Sequence, residues 1–269
     1  MNRSGSASGA LGLAALLVLA GCTSSSSSGG PSSTPSATPS SPSAAATGSA
    51  VPAGPLATRL QTALAHTTSV RLTLSTAVAG SSTIKGSGDV ALDDGAISKA
   101  DITEALPDGL GGVRLVVVGG RTYAKLPAGL TSKSRPWTLL SASSSQPLVS
   151  QLATTVHSVL SVASPATVVS FVRAASSVRS LGRATVAGTT ARHYRVVIDA
   201  AELSSLPGGL SAGSASSVPV DLYVDGSGRP VQLRGSLELD GTRVTPTVTL
   251  SHYDTPVSIS APPASQVSG

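Results

Sequence analysis

The chain has 269 residues, of which 40% are hydrophobic, 2% aromatic and 12% charged, and 18 basic against 13 acidic residues give a net charge of +5. A single cysteine excludes a disulfide framework and a zinc site built on several thiolates, and the low charged fraction excludes a coiled coil. The positive charge does not indicate nucleic-acid binding, because the arginines are scattered and one Trp, one Phe and four Tyr supply few stacking platforms. The length predicts one domain of roughly 200 residues with tails.

The amino terminus has the pattern of a bacterial lipoprotein signal. Arg3 precedes an uncharged apolar run at 10–20, which is too short to span a bilayer and matches the hydrophobic region of a signal peptide. The sequence LAGC at 19–22 has the pattern of a bacterial lipobox, which predicts that Cys22 becomes the lipidated first residue of the mature chain. We therefore predict a signal peptide over 1–21; the alternative is an ordinary secretory signal followed by a chance cysteine.

Lipidation at Cys22 predicts a mature protein tethered to the outer face of the cytoplasmic membrane, because two or three acyl chains together hold a protein durably. The residues that follow, up to 54, are almost wholly Ser, Thr, Pro, Gly and Ala. Such a segment cannot form a core, so we predict a flexible linker that ends at residue 54. The folded domain is predicted over 55–269.

The first part of the domain is predicted to be one helix followed by a meander of strands. Apolar residues recur at helical spacing behind Pro55, which predicts a short helix over 55–67. The period then changes to two, and Asp93-Asp94-Gly95 and Gly119-Gly120 are typical of hairpin turns. The predicted strands are 70–78, 84–92, 96–106, 113–118 and 121–126.

The middle of the domain is predicted to be helical and the last part to return to strands. Two amphipathic helices over 148–163 and 165–178 are separated by Ser164-Pro165, which is typical of a helix start. Turns are predicted at 188–190 and 226–228, and Pro246 indicates an edge or a bulge. The later strands are predicted at 185–186, 192–199, 218–225, 231–240 and 244–253. These elements predict an α+β domain, in which helices are inserted between two halves of an antiparallel sheet.

A search for catalytic and metal-binding patterns finds none. The four histidines, His66, His157, His193 and His252, are not spaced as metal ligands, and neither a GxSxG elbow nor a phosphate-binding glycine motif is present. We therefore predict a non-catalytic binding protein without metal or cofactor. A hydrolase whose triad is assembled from distant residues stays as an alternative.

Because aromatic side chains are few, the interior of the domain has to be filled by aliphatic residues. A core lined by Val, Leu, Ala and Ile either packs closely or encloses a dry apolar void that accepts apolar guests. The composition leaves both possibilities open.

Several stretches of the chain resemble a known family. The lipobox and linker, together with GGRTYAKLP at 119–127, GTTARHYRVVID at 188–199, VPVDLYVDGSGRP at 218–230 and YDTPVSISAPP at 253–263, are similar to the actinobacterial LppX/LprA/LprF/LprG lipoprotein family. Tyr223 stands where that family often has Trp.

The resemblance implies a strongly bent antiparallel half-barrel with helices packed on its concave face and an apolar cavity between the two layers. Family members bind and carry acylated lipids or glycolipids through the cell envelope. The implied partners are such a lipid, the cell membrane through the anchor, and a possible envelope transporter. The residues expected to line the cavity are Leu72, Leu74, Val116, Val118, Leu148, Leu152, Val156, Leu160, Phe171 and Val172.

Two questions stay open at this level. Arg192, Arg195 and Arg234 could meet an anionic headgroup or could belong to a solvated sheet face. The alternative to a lipid carrier is an envelope surface interaction module without a ligand cavity.

Overall fold

The computed structural model describes residues 48–79, 83–105, 111–127, 129, 131–206, 215–239 and 242–268. The predicted signal peptide, the predicted lipidation site Cys22, the predicted linker up to residue 47 and the predicted strand ends at 106 and 240 lie outside these residues. The fold begins earlier than the predicted boundary at Pro55. Ser49–Ala50 forms a short strand, β1, that pairs with a later strand, so residues 48–54 belong to the domain rather than to the linker.

The predicted helix and meander at the start of the domain are confirmed. Asp94 and Gly95 form the turn of the first hairpin with φ of 48° and 76°, the pair of positive angles that a two-residue type I′ turn requires. One further strand, β7, was not predicted. The elements are α1 (Ala53–Ala65), β2 (Ser69–Val78), β3 (Ile84–Asp93), β4 (Ala96–Ala105), β5 (Gly112–Val118), β6 (Arg121–Lys125) and β7 (Trp137–Leu140).

Two helices come next in the chain, α2 (Pro147–Ala163) and α3 (Pro165–Arg173). The second is shorter than the predicted 165–178, because a strand begins at Ala175. A bulge lies between Ala175 and Ser177, which places Ala175 and Val178 on the same buried side of a strand although they are spaced as on a helix. Among the described residues no single helix reaches the length and apolarity of a membrane span; α2 and α3 reach it only together, with a 70° bend between them.

The last part of the domain is mostly strand, as predicted. The turn predicted at 188–190 lies at Ala187 and Gly188 instead, with φ of 49° and 78°, so Thr189 already belongs to the next strand. The elements are β8 (Ala175–Val186), β9 (Thr189–Asp199), α4 (Ala200–Leu203), β10 (Ser217–Asp225), β11 (Pro230–Gly235), β12 (Leu237–Leu239), β13 (Thr242–Ser251), a 3-10 turn (Ala264–Gln266) and β14 (Val267–Ser268).

The described strands form one large sheet in the order β1-β8-β9-β10-β11-β13-β2-β3-β4-β5-β6-β7-β14, with β12 pairing beside β11 along β13. Neighbouring strands are antiparallel except β14 and β7. Pro246 of β13 lies in the interior of the sheet, where Thr247 pairs with β11 and Val244 with β12. The ladder on that side is therefore already interrupted at Pro246, which explains how a residue without an amide hydrogen is accommodated.

The helices cover one face of this curved sheet, and the predicted α+β arrangement is confirmed. The main core contains α1, α3 and the centre of the sheet, where Leu60, Leu72 and Val172 are fully buried. A second, separate cluster packs α2 on β5 to β7, for example Val156 near Leu115. We call the helix-covered face of the sheet the concave face and the opposite one the outer face.

Two glycines on the concave side of β3 allow close approach to β4. A Cβ atom at Gly88 would lie 2.1 Å from the carbonyl oxygen of Asp101 and 2.5 Å from the Cα of Ile102. At Gly86 the nearest atom would be the carbonyl oxygen of Thr103 at 3.2 Å. At Gly88 the backbone of β4 occupies the place of a side chain, whereas Gly86 borders open volume over β3.

Candidate functional site

An apolar cavity of about 130 Å³ lies between the concave face and the helices. It extends across the central strands from β4 to β9 and is covered by α2, α3 and α4. Its lining is mostly aliphatic, with one aromatic ring, that of Phe171. The lining residues are Leu74, Ser75, Thr76, Ile84, Gly86, Glu104, Val159, Val162, Ala163, Phe171, Ile198, Leu203, Val218, Val220, Leu233, Gly235, Pro246, Thr247 and Val248.

The floor of the cavity is set directly by strand register. Leu74 of β2 pairs with Val248 of β13, and Val248 pairs with Leu233 of β11. These three aliphatic side chains lie side by side on neighbouring strands. Gly86 lies beside them on β3 and Gly235 is at the end of β11, and neither glycine has a side chain to fill the space above its strand. The depth of the cavity therefore depends on the two glycines.

The helices form the opposite wall. Val162 and Ala163 at the end of α2 pack with the main core, whereas Val159 packs with the second cluster. Leu160 is partly buried against both clusters. The cavity thus lies at the seam where the two hydrophobic clusters meet. Separation of α2 from the sheet at this seam disrupts fewer packing contacts than separation inside either cluster.

Glu104 is the one ionisable residue among the described residues that line the cavity. It is 9% exposed and lies on β4 between Gly86 and Val113 of the neighbouring strands. No described side chain forms a hydrogen bond or an ion pair with its carboxylate. Burial raises the pKa of Glu104, because removal from water disfavours its charged form.

The positive charges nearest to Glu104 in the sheet do not reach it. Lys85 on β3 and Arg114 on β5 alternate with buried residues and lie on the outer face. There Arg114 donates to Asp101 at 2.6 and 2.8 Å. Neither of these two cations therefore compensates the carboxylate of Glu104.

Only some of the predicted lining residues border the cavity. Leu74 and Phe171 do so. Leu72 and Val172 are fully buried in the main core. Leu160 borders a separate, wider groove of about 440 Å³, whose lining includes several Ser and Thr side chains. Leu152 and Val156 of α2 pack against β5 and β7 in the second cluster instead.

The structure corrects the placement of three predicted lining residues. Val116 and Val118 lie on the outer face, where Val116 packs with Tyr123 and Trp137. Strand β5 is apolar on both faces, so its period-two pattern does not show which face is concave. Leu148 is 45% exposed, because in the first turn of α2 Val149 is the buried residue that precedes Leu152 and Val156.

The structure also shows lining residues that the sequence analysis missed. Val218 and Val220 lie in the strand predicted at 218–225 but were not assigned to the cavity. Glu104 comes after Ala100 and Ile102 at period two, which was the available signal that it lies on their buried face. Gly86 and Gly235 carry no sequence signal for a cavity, since glycines in strands also mark bulges and turns.

The three arginines considered for headgroup binding lie away from the cavity. Arg195 and Arg234 alternate with buried residues and lie on the outer face, where Arg195 pairs with Asp221 at 2.7 Å. Arg192 borders a polar groove beside Arg59. His193 also binds Asp221, at 2.9 Å. Within the part of the chain that the structure describes, no group of three or more His, Cys, Asp or Glu side chains is placed to hold a metal ion.

Comparison with known proteins gives similarity in structure only. No family model and no curated protein matches the chain. Lipoprotein LppX of Mycobacterium tuberculosis matches with 20% identity and a TM-score of 0.47, over 77% of this chain and 99% of its own. LprF of Mycobacterium bovis matches with 15% identity and a TM-score of 0.49, over 80% and 99%. A LolA superfamily protein of Nitrosomonas europaea matches with 12% identity and a TM-score of 0.31, over 77% and 96%. At these identities and scores, the function has to be inferred from the cavity of this chain.

Proposed function

We propose that this protein is a non-catalytic lipoprotein of the cell envelope that binds and carries acylated lipids or glycolipids. The observation that supports this proposal is the apolar cavity between the helices and the sheet, with its aliphatic lining. Transfer of an alkyl chain from water into such surroundings is favourable by about 0.8 kcal/mol for each methylene. No chemical step is required, because the protein only has to shield the chain from water.

The size of the cavity indicates how a lipid would be accommodated. An engineered apolar cavity of about 150 Å³ stays dry and binds benzene, so the 130 Å³ cavity has room for a short alkyl segment. A full acyl chain requires α2 to move away from the sheet. The seam between the two hydrophobic clusters, at Val159 and Leu160, is where such a separation would begin.

Native mass spectrometry of the chain from residue 23 onward tests this function. We expect the purified protein to carry an additional mass that organic extraction removes and that an acyl lipid restores. The control is the same protein after extraction, which should return to the mass of the polypeptide. A protein without added mass that also fails to take up any acyl probe would contradict lipid binding. That result would favour the alternative of a surface interaction module.

We further propose that Cys22 anchors the protein to the outer face of the cytoplasmic membrane. Two or three acyl chains on this residue would hold the chain durably. The Ser- and Pro-rich linker over 23–47 would separate the domain from the membrane by about 25 to 30 Å if it is a flexible coil. An envelope transporter that receives the lipid is a further proposed partner.

Replacement of the anchor residue, Cys22→Ala, is expected to release the mature chain from the membrane or to leave it unprocessed. Membrane fractionation with detection of the domain measures this, and Ser24→Ala is the control that keeps the lipobox. Unchanged membrane retention of processed Cys22→Ala protein would refute anchoring through this thiol.

A further inference from the structure

We infer that Glu104 is a headgroup-selecting residue, so that the cavity prefers acyl ligands whose polar end donates hydrogen bonds, as a hydroxyl or an ammonium group does. This inference rests on the proposed function, since it identifies which lipids the cavity selects. Glu104 is 9% exposed and borders the cavity. A carboxylate so placed is costly unless a partner compensates it, and none of the described side chains does so.

The position of Glu104 fits the polar end of a bound chain. It lies at one end of the row of strands that forms the cavity, on β4, whereas Ile198, Val218 and Val220 lie on β9 and β10 at the other. Between them Leu74, Val248 and Leu233 form an aliphatic row across the floor. Gly86, its partner on β3, has no side chain that could cover the carboxylate from that side. An alkyl chain over β10 and β11 would place its polar end toward β4.

The chemistry of a carboxylate decides which polar ends it accepts. When ionised it only accepts hydrogen bonds, and bonds that involve a charged group are stronger than neutral ones. A hydroxyl or an ammonium group donates to it. A second carboxylate is repelled, and an ester offers no donor. Burial raises the pKa of Glu104, which agrees with the absence of a compensating cation among the described side chains around it.

A set of ligands with one tail and four headgroups tests this selection. Dodecylamine, dodecanol, methyl laurate and lauric acid compete at neutral pH against a fluorescent acyl probe bound to the chain from residue 23 onward. We expect the amine and the alcohol to bind at least about tenfold more tightly than the ester and the acid, the effect of one charge-assisted hydrogen bond.

Three variants separate charge, hydrogen bonding and fold. Glu104→Gln should remove the preference for the amine but keep most of that for the alcohol, because an amide still accepts hydrogen bonds. Glu104→Leu should lower the affinity for the amine and for the alcohol to that for the ester. The affinity for the ester should be unchanged or higher. Glu202→Gln, at an exposed acidic residue of α4, should preserve the preference. Thermal unfolding confirms that each variant is folded.

The outcomes distinguish the selection from lipid binding itself. Equal affinity of the wild-type protein for all four ligands, or a donor preference that persists in folded Glu104→Leu, would overturn the role of Glu104 and leave the carrier function standing. Failure of the wild-type protein to bind the probe and any of the four ligands would overturn both.

Discussion

Gly235→Leu is expected to abolish binding of acyl ligands while the protein stays folded. A Cβ atom at this position would meet only the ring of Pro246, at 3.5 Å, which is an ordinary van der Waals distance. The rest of the leucine side chain would then occupy the cavity that Gly235 lines. Exclusion of about four methylenes of a ligand costs about 3 kcal/mol, which is more than a hundredfold in affinity.

Titration with a fluorescent acyl probe measures the loss, and thermal unfolding measures the fold. We expect the midpoint of unfolding to be unchanged or raised, because the new side chain fills a void. Gly54→Leu is the matched control, since no atom lies within 4 Å of a Cβ at that position in α1. It should bind the probe as the wild-type protein does. Unchanged binding by folded Gly235→Leu would show that the ligand lies elsewhere.

Gly88→Ala is expected to be the most destabilising single methyl addition in the sheet. The new Cβ would lie 2.1 Å from the carbonyl oxygen of Asp101 and 2.5 Å from the Cα of Ile102. Both are backbone atoms, so relief requires β3 and β4 to separate, and their hydrogen bonds lengthen. We expect the free energy of unfolding to fall by about 3 kcal/mol, measured by urea unfolding.

Gly86→Ala provides the control for this effect. It lies two residues earlier on the same strand and the same face, but its Cβ would be 3.2 Å from the nearest atom, the carbonyl oxygen of Thr103. A shift of a few tenths of an ångström is enough there, so we expect a loss of under about 1 kcal/mol. Equal stability of Gly88→Ala and the wild-type protein would mean that the close approach of β3 to β4 is not required for the fold.

These glycine positions connect the fold to the proposed function. Gly88 allows β3 to approach β4, and Gly86 and Gly235 leave volume on the concave side of the sheet. With few aromatic side chains available, the core is filled by Val and Leu. Glycine in the strands and small residues in the core together leave the space that a lipid would occupy.

The predicted lining residues show what a periodic pattern of apolar residues can and cannot predict. Leu74 and Phe171 were placed at the cavity because their apolar spacing also marks the buried face of their elements. Val116 and Val118 were misplaced because β5 is apolar on both faces, and Leu148 because the first turn of α2 buries Val149 instead. Periodicity identifies a face, but packing of the helix on the sheet decides which apolar face is covered.

Local sequence was sufficient for the α+β class, the meander, the hairpin turn at Asp94-Gly95 and the break at Ser164-Pro165, because period and turn chemistry act between residues close in the chain. Tertiary structure alone decided that β13 pairs with β2, that a bulge near Ala175 converts an apparent helical stripe into a strand, and that Glu104 borders an apolar cavity. Each of these depends on contacts between residues far apart in sequence. The cavity exists because the side chains of the helices and of the sheet do not fill the space between these two layers. No single segment of the sequence determines that space.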